Sequence, residues 1–178
     1  MTGPAFGRDL PAEWFIGDTD QRALHAELEG QPMPALNLED WRNGELTTEA
    51  MEGKIVLIDF WATWCAPCIA AIPTKNAIHE TYADQGVVVL GVCGSSFGQD
   101  RHDQILERFD VKYPSARDAS LENADRFRVT WWPTYVIVDR HGIVRGVGLA
   151  GEHLEDAVKL LLEEQPAADQ VAAADEAS

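Results

Sequence analysis

Basic side chains are in short supply in this sequence: 14 lysines and arginines stand against 30 aspartates and glutamates, a formal net charge of −16. Polyanions repel such a chain, which excludes nucleic acid and anionic membrane as its main partners and favours solubility. Long apolar runs are missing as well. The longest, Val87–Cys93, is strand length and falls far short of the ~18 residues of a membrane span. No unit recurs at a spacing of ~20–50 residues, so solenoids and propellers are excluded. The N-terminus, MTGPAFGRDLPAEWF, lacks a basic start followed by an apolar stretch, so no export signal is legible. On that ground the protein is expected to be cytoplasmic, or this is a trimmed piece of a longer one. Histidines are few and scattered, at 25, 79, 102, 141 and 153, and no second Cys or His pair stands at short spacing. A four-ligand zinc site therefore has no donors, and no metal or cofactor is expected.

What is present suffices for a core. The chain is 46% hydrophobic over 178 residues, which excludes wholesale disorder and suits one domain with some spare chain. The spare chain lies at the ends. Residues 165–178 carry six alanines, three acids and no aromatic, and read as a loose tail. Residues 1–29 form a polar arm apart from Trp14-Phe15-Ile16, with Asp18 or Thr19 capping a short helix through Leu28. Three large apolar side chains together should hold that arm against the domain.

Residues 30–164 make the domain proper, alternating strand and helix signals. Residues 33–48, broken by Pro34, Asn43 and Gly44, suit a small hairpin. Residues 54–61 and 87–93 read as buried strands. The helix over 65–82 carries Ile69, Ile72, Asn76 and His79 on one side, with a kink expected at Pro73. Further helices are expected over 99–109 and 121–127. Strands over 134–138 and 143–148 then join through a turn at 139–142. In the closing helix Leu154, Val158, Leu161 and Leu162 form one apolar stripe. The whole is an α/β fold: a central mixed sheet flanked by helices.

The chemistry concentrates in Trp61-Ala-Thr-Trp-Cys-Ala-Pro-Cys68, directly after a strand and opening a helix. In that context Cys-x-x-Cys reads as a redox pair. Backbone N–H groups and the positive end of the helix dipole favour a thiolate at residue 65. Residue 68 lies on the same face one turn on, within reach of a disulfide. Pro67 suits the first turn, where its missing N–H leaves no bond unmade. Cys65 is thus the expected exposed nucleophile and Cys68 the resolving thiol. Cys93, inside an apolar strand, is expected to be an inert buried thiol. Trp61, Trp64, Trp131 and Trp132 could together ring the thiols with apolar surface; core packing is the other reading of Trp61 and Trp131.

Residues 30–164 resemble the thioredoxin superfamily and, within it, the TlpA/ResA-like thiol–disulfide oxidoreductases. The resemblance rests on Gly53-Lys54, the run from Asp59 to Cys68, Gly91-Val92, Trp132-Pro133-Thr134, and Asp139 with Gly142. It implies a thioredoxin-like fold with an N-terminal β-hairpin and a helical insertion. It further implies that Asp59, buried, exchanges a proton with Cys68. Trp132-Pro133 would form a cis-proline loop facing the disulfide. Trp64, Ala66, Pro67, Trp132, Pro133 and Thr134 would bind substrate. The implied partners are a disulfide-containing protein and an upstream thiol protein that donates electrons, and the implied setting is the bacterial cell envelope. Pro133-Thr134 differs from the Pro-Glu of cytochrome-c-maturation members, and Trp-Ala-Thr-Trp before Cys65 differs from the peroxiredoxin pattern. Ala66-Pro67 places no charge between the cysteines, which points to a reductase of protein disulfides rather than an oxidant. Two other roles fit the same residues: a binding domain with little redox turnover, and handling of copper-site thiols.

Overall fold

A computed structural model describes residues 7–164; the expected tail at 165–178 lies outside them. Six strands form one mixed sheet: β1 (Glu39–Arg42), β2 (Ile55–Trp61), β3 (Val87–Cys93), β4 (Ser115–Arg117), β5 (Thr134–Val138) and β6 (Val144–Leu149). Their order across the sheet is β1-β4-β3-β2-β5-β6. The β4, β3 and β2 strands run parallel, while β1, β5 and β6 join antiparallel to their neighbours.

All seven residues of β2 are buried, as in a strand covered on both faces. Alternation then sorts them. Ile55, Leu57 and Trp61 join the core on one face with Ile72, Ile78, Leu154 and Val158. Val56, Ile58 and Phe60 join the core on the other with Leu90, Val136 and Phe127. Asp59 shares the parity of Leu57 and Trp61, so the strand period aims a carboxylate into an apolar layer. That layer is roofed by the helices that follow β2.

Those helices are α3 (Ala66–Ala70) and α4 (Ile72–Tyr82). They are separated at Ala71, whose backbone relaxes to φ −84° and ψ −4°, and Pro73 sits in the first turn of the second. The expected kink is thus a full break, and it changes the phase. The buried side of α4 is Ile72, Lys75, Ile78 and Tyr82. Asn76 and His79, expected on one side with Ile69 and Ile72, are half-buried, because helical spacing counted from Ile69 does not survive the break. Asn76 accepts from Lys112 N–H and donates to Asp110 C=O, both at 2.9 Å, anchoring the loop that delivers Tyr113.

The helical insertion lies between β3 and β4 as α5 (His102–Arg108), preceded by a 3-10 turn at Gln99–Arg101. Helix α6 (Glu122–Arg126) connects β4 to β5, and α7 (Leu154–Leu162) closes the domain. The expected hairpin over 33–48 is not formed. Its one strand, β1, pairs with β4 instead, and Asn43 donates its amide to the carbonyls of Val111 (2.7 Å) and Tyr113 (3.2 Å). Asp40 and Asn43 adopt positive φ, which interrupts the extended backbone a second hairpin strand requires. Helix α2 (Thr48–Met51) takes up the rest of that segment, capped by Thr47.

The N-terminal arm carries α1 (Thr19–Ala26), where Asp18 and Gln21 form a reciprocal capping box. The arm lies along β6. Ile16 N–H bonds Gly148 C=O at 2.9 Å, Ala150 N–H bonds Trp14 C=O at 2.8 Å, and Gly30 N–H bonds Val144 C=O at 2.8 Å. The arm thereby occupies backbone groups of an edge strand that would otherwise be free to pair elsewhere.

One buried histidine makes a prediction about acid stability. His102 is 1% exposed, with Nε2 2.9 Å from Ser115 Oγ and Asp103 3.4 Å from Nδ1. Burial pushes the imidazole from 6.5 down to about 4, with Asp103 pulling weakly the other way. In the folded protein this imidazole stays neutral where that of the unfolded chain takes a proton. That stabilisation is complete above pH 6.5 and is lost as the pH falls through 4, about 3 kcal/mol in all. Urea midpoints are expected to drop over this range more steeply in the wild type than in His102→Gln; parallel profiles would refute the assignment.

Candidate active site

Strand β2 delivers the chain to a turn closed by Cys65 N–H to Ala62 C=O at 3.1 Å. Thr63 Oγ1 donates to Gly98 C=O at 2.7 Å and fastens that turn to the loop after β3. Cys65 is then the N-cap of α3: its Sγ accepts the Cys68 N–H at 3.2 Å, and Pro67 occupies the first turn. Cys65 and Cys68 are joined in a disulfide with 5.3 Å between their Cα atoms, inside the ordinary range for that bond. Once the bond is reduced, an amide aimed at Cys65 Sγ favours its thiolate.

The exposure expected of Cys65 is not observed. It is 3% exposed, barely more than Cys68 at 1%. Its sulfur is turned inward to Cys68, and Trp132 packs against the core cluster to which both cysteines belong. Ala66 and Pro67 are the open part of the motif.

Aromatic side chains rim this region. Trp64, 42% exposed, donates Nε1–H to Ser95 Oγ at 3.0 Å. It stacks on Phe97 at 5.1 Å between centroids and meets Trp132 edge-on at 5.7 Å. Phe97, 61% exposed, lies in a Gly-Ser-Ser-Phe-Gly loop where no periodicity marks it as functional. Of the four tryptophans considered, Trp64 and Trp132 flank the site. Trp61 is buried beside His102, and Trp131 packs on His25 at 5.2 Å. The Trp132–Pro133 peptide is cis. Thr134 is fully buried with Oγ1 bonded to Trp131 C=O at 2.7 Å, so its hydroxyl pins the loop and is not presented to a substrate.

Beneath the disulfide lies a buried ion pair. Asp59 Oδ2 accepts from Lys75 Nζ, which also lies 3.3 Å from Cys68 C=O; both side chains are at most 1% exposed. Burial pushes the Asp59 carboxyl above the ordinary carboxylate range, and the Lys75 charge opposes the shift. Tyr113 and Tyr135 rings stand 5.6 and 5.9 Å from the ammonium. Gly91, opposite Asp59 in the β2–β3 register, makes the space: a Cβ there would fall 3.1 Å from the Tyr113 ring and 2.9 Å from Ser115 Oγ. Lys75, Phe97, Ser95, Tyr113 and Tyr135 are side chains at this site that sequence patterns did not single out. Cys93 is buried and free, and burial raises its thiol to about 12. Among the described residues, no three His, Cys, Asp or Glu side chains are grouped to hold a metal ion.

A parallel-centred sheet, a Cys-x-x-Cys disulfide capping the helix after its central strand, and a cis-proline loop beside it define a thioredoxin-like dithiol/disulfide protein. The sequence profile of the AhpC/TSA family matches residues 29–147, and the chain belongs to that family as a TlpA/ResA-like member of the thioredoxin superfamily. It is 29% identical over 135 residues to the thioredoxin-like protein YneN of Bacillus subtilis, covering 75% of this chain and 79% of that protein. Over 161 residues it is 29% identical to the thiol–disulfide oxidoreductase ResA of Geobacillus thermodenitrificans, covering 89% and 87%. Among solved structures it is similar to a thioredoxin-like protein in its oxidised form, at 30% identity and a TM-score of 0.67, with 76% and 97% covered.

Proposed function

We propose that this protein is a thiol–disulfide oxidoreductase that works as a reductase of disulfides in partner proteins. The observation that supports it most is the Cys65–Cys68 disulfide at the N-cap of α3, with the Cys68 amide bonded to Cys65 Sγ. In the dithiol form, the Cys65 thiolate attacks one sulfur of the partner's disulfide. The second partner sulfur leaves as a thiolate and is protonated by water. Cys68 passes its proton to Asp59 and attacks Cys65 Sγ; the Cys65–partner bond breaks and the partner's remaining sulfur departs as a thiolate. The partner has gained two electrons and this chain has lost two, so a thiol-protein donor must restore Cys65 and Cys68.

Access comes from the exposed Ala66–Pro67 side, with Trp64, Phe97 and Trp132 offering apolar surface to the segment around the partner's cysteine. The uncharged Ala66-Pro67 dipeptide supports reduction over oxidation, because no side chain between the cysteines adds charge stabilisation to the thiolate. The family resemblance supports the bacterial cell envelope as the setting. No helix among the described residues is long and apolar enough to cross a membrane.

Insulin reduction in dithiothreitol tests the reading. Catalytic amounts of the protein should accelerate precipitation of the insulin B chain well beyond dithiothreitol alone. No acceleration would favour a binding domain with idle thiols. A potential as oxidising as ~−120 mV would reverse the direction.

A further inference from the structure

Helix α1 of the N-terminal arm is buried the wrong way round for its residues. Leu24 is 41% exposed, whereas its neighbour His25 is 1% exposed and is the one buried side chain of the helix. A surface helix ordinarily turns its apolar residues inward. The partners of this imidazole lie in the segment between α6 and β5, which leads into Trp132 and Pro133.

His25 grips that segment at two places. Its Nε2 lies 3.3 Å from Arg128 C=O, and since a carbonyl only accepts, Nε2 carries the hydrogen and donates it. The ring packs on Trp131 with 5.2 Å between centroids and 45° between planes. Arg128 holds φ +58°, a left-handed conformation that a residue with a Cβ rarely keeps without support. Glu27, the C-cap of α1, stands 3.6 Å from the Arg128 guanidinium. Two glycines make room for the arrangement. A Cβ at Gly148 of β6 would fall 2.9 Å from His25 Nδ1, and one at Gly17 would fall 3.3 Å from the Trp131 ring. Burial pushes the imidazole below 6.5, so the neutral ring is the form seated there near pH 7. The arm has other ties to β6: Arg22 donates to Val147 C=O at 2.7 Å, and Glu29 accepts Val147 N–H at 3.1 Å. What His25 adds is the connection to residues 128–131.

We infer that His25 is a positioning residue for substrate docking: through Arg128 C=O and the Trp131 ring, it fixes the approach to Trp132 and Pro133. The inference rests on the thiol–disulfide reading above. Trp131 and Trp132 are adjacent in the chain, so a shift of the first is passed to the second. Trp132 packs against the core cluster that contains Cys65 and Cys68 and meets Trp64 edge-on. The bond from Thr134 Oγ1 to Trp131 C=O carries the same constraint across Pro133. No proton or electron passes through His25. It holds the loop ready, so that ordering it is not left to the moment a partner binds.

Initial rates of insulin reduction over a series of insulin concentrations test this. His25→Ala should raise KM about fivefold with kcat little changed, the worth of one lost hydrogen bond. His25→Gln keeps an N–H within reach of Arg128 C=O and should return KM toward the wild-type value. Leu24→Ala, at the exposed neighbour, should move neither constant. A merely structural histidine would lower the urea midpoint of its variants but leave KM of the folded proteins alone. His25→Phe keeps a ring against Trp131 without the donor and should raise KM about twofold or more, a comparison that stands even if His25→Ala does not fold. An unchanged KM in folded His25→Ala or His25→Phe, or a loss confined to kcat, would overturn the inference while leaving the exchange reaction intact. A wild type that fails to reduce insulin at all would overturn the exchange reading, and this inference with it.

Discussion

Cys65→Ser will reduce insulin no faster than dithiothreitol alone, while Cys68→Ser will accumulate a covalent complex with its substrate. The asymmetry follows from position. Cys65 caps α3 and receives the Cys68 amide, so its sulfur is the one favoured as a thiolate. Cys68 follows one turn on in α3, and the proposed mechanism gives it the displacement of the partner. Without Cys65 no mixed disulfide forms; without Cys68 it forms and persists. Non-reducing electrophoresis after acid quenching, followed by mass spectrometry of the adduct, reads both outcomes. Equal trapping by the two variants would show that the roles are not divided. The enclosure of Cys65 adds a kinetic expectation: relative to the same reagent's rate with free glutathione, alkylation of the dithiol should be slowed more for a bulky maleimide than for iodoacetamide, because the aromatic rim limits approach.

The second large effect concerns stability. Lys75→Met leaves Asp59 without its counter-charge in a fully buried position and should destabilise the fold by about 3–5 kcal/mol at neutral pH. Replacing both partners, as in Asp59→Leu/Lys75→Met, should leave stability near the wild-type level or raise it by about 1–4 kcal/mol, since the desolvation of two charges disappears with them. The pH dependence has a definite sign. In Lys75→Met the Asp59 carboxyl lies further above its unfolded value, so the folded state prefers the protonated acid. The penalty should be small below the unfolded value of 3.8 and grow as the pH rises through the folded one. Urea titrations of both variants at pH 5 and pH 8 measure this. A single variant less than about 1 kcal/mol below wild type at pH 8, or a double variant weaker than the single, would show that the pair is not a desolvated ion pair.

Strands β2, β3, β5 and β6, an irregularity at Pro73 and the site's central motif were legible because each is carried by neighbours in sequence; the three-residue β4 was not. Val87–Cys93 is apolar throughout, and a strand buried on both faces needs nothing more to be identified. The helical phase of α4 was not legible. Counting from Ile69 puts Asn76 and His79 on one side with Ile72, whereas after the break at Ala71 the buried side of the helix runs through Lys75. The supposed hairpin failed for a related reason: Asn43 finds its partners at Val111 and Tyr113, almost seventy positions away, and draws β1 to β4. Phe97 offered no signal at all, since an aromatic residue in a glycine-bounded loop shares no period with anything.

From its order of residues alone, this protein is committed to a thiol pair at a strand-to-helix junction, because spacing, capping and strand parity operate over fewer than ten residues. Which cation meets Asp59, which aromatics shield the sulfurs and how far Cys65 is enclosed were decided by the assembled fold. Those contacts join side chains 16 to 68 positions apart across different elements. Burial in that shared layer, not local preference, sets their protonation and reach.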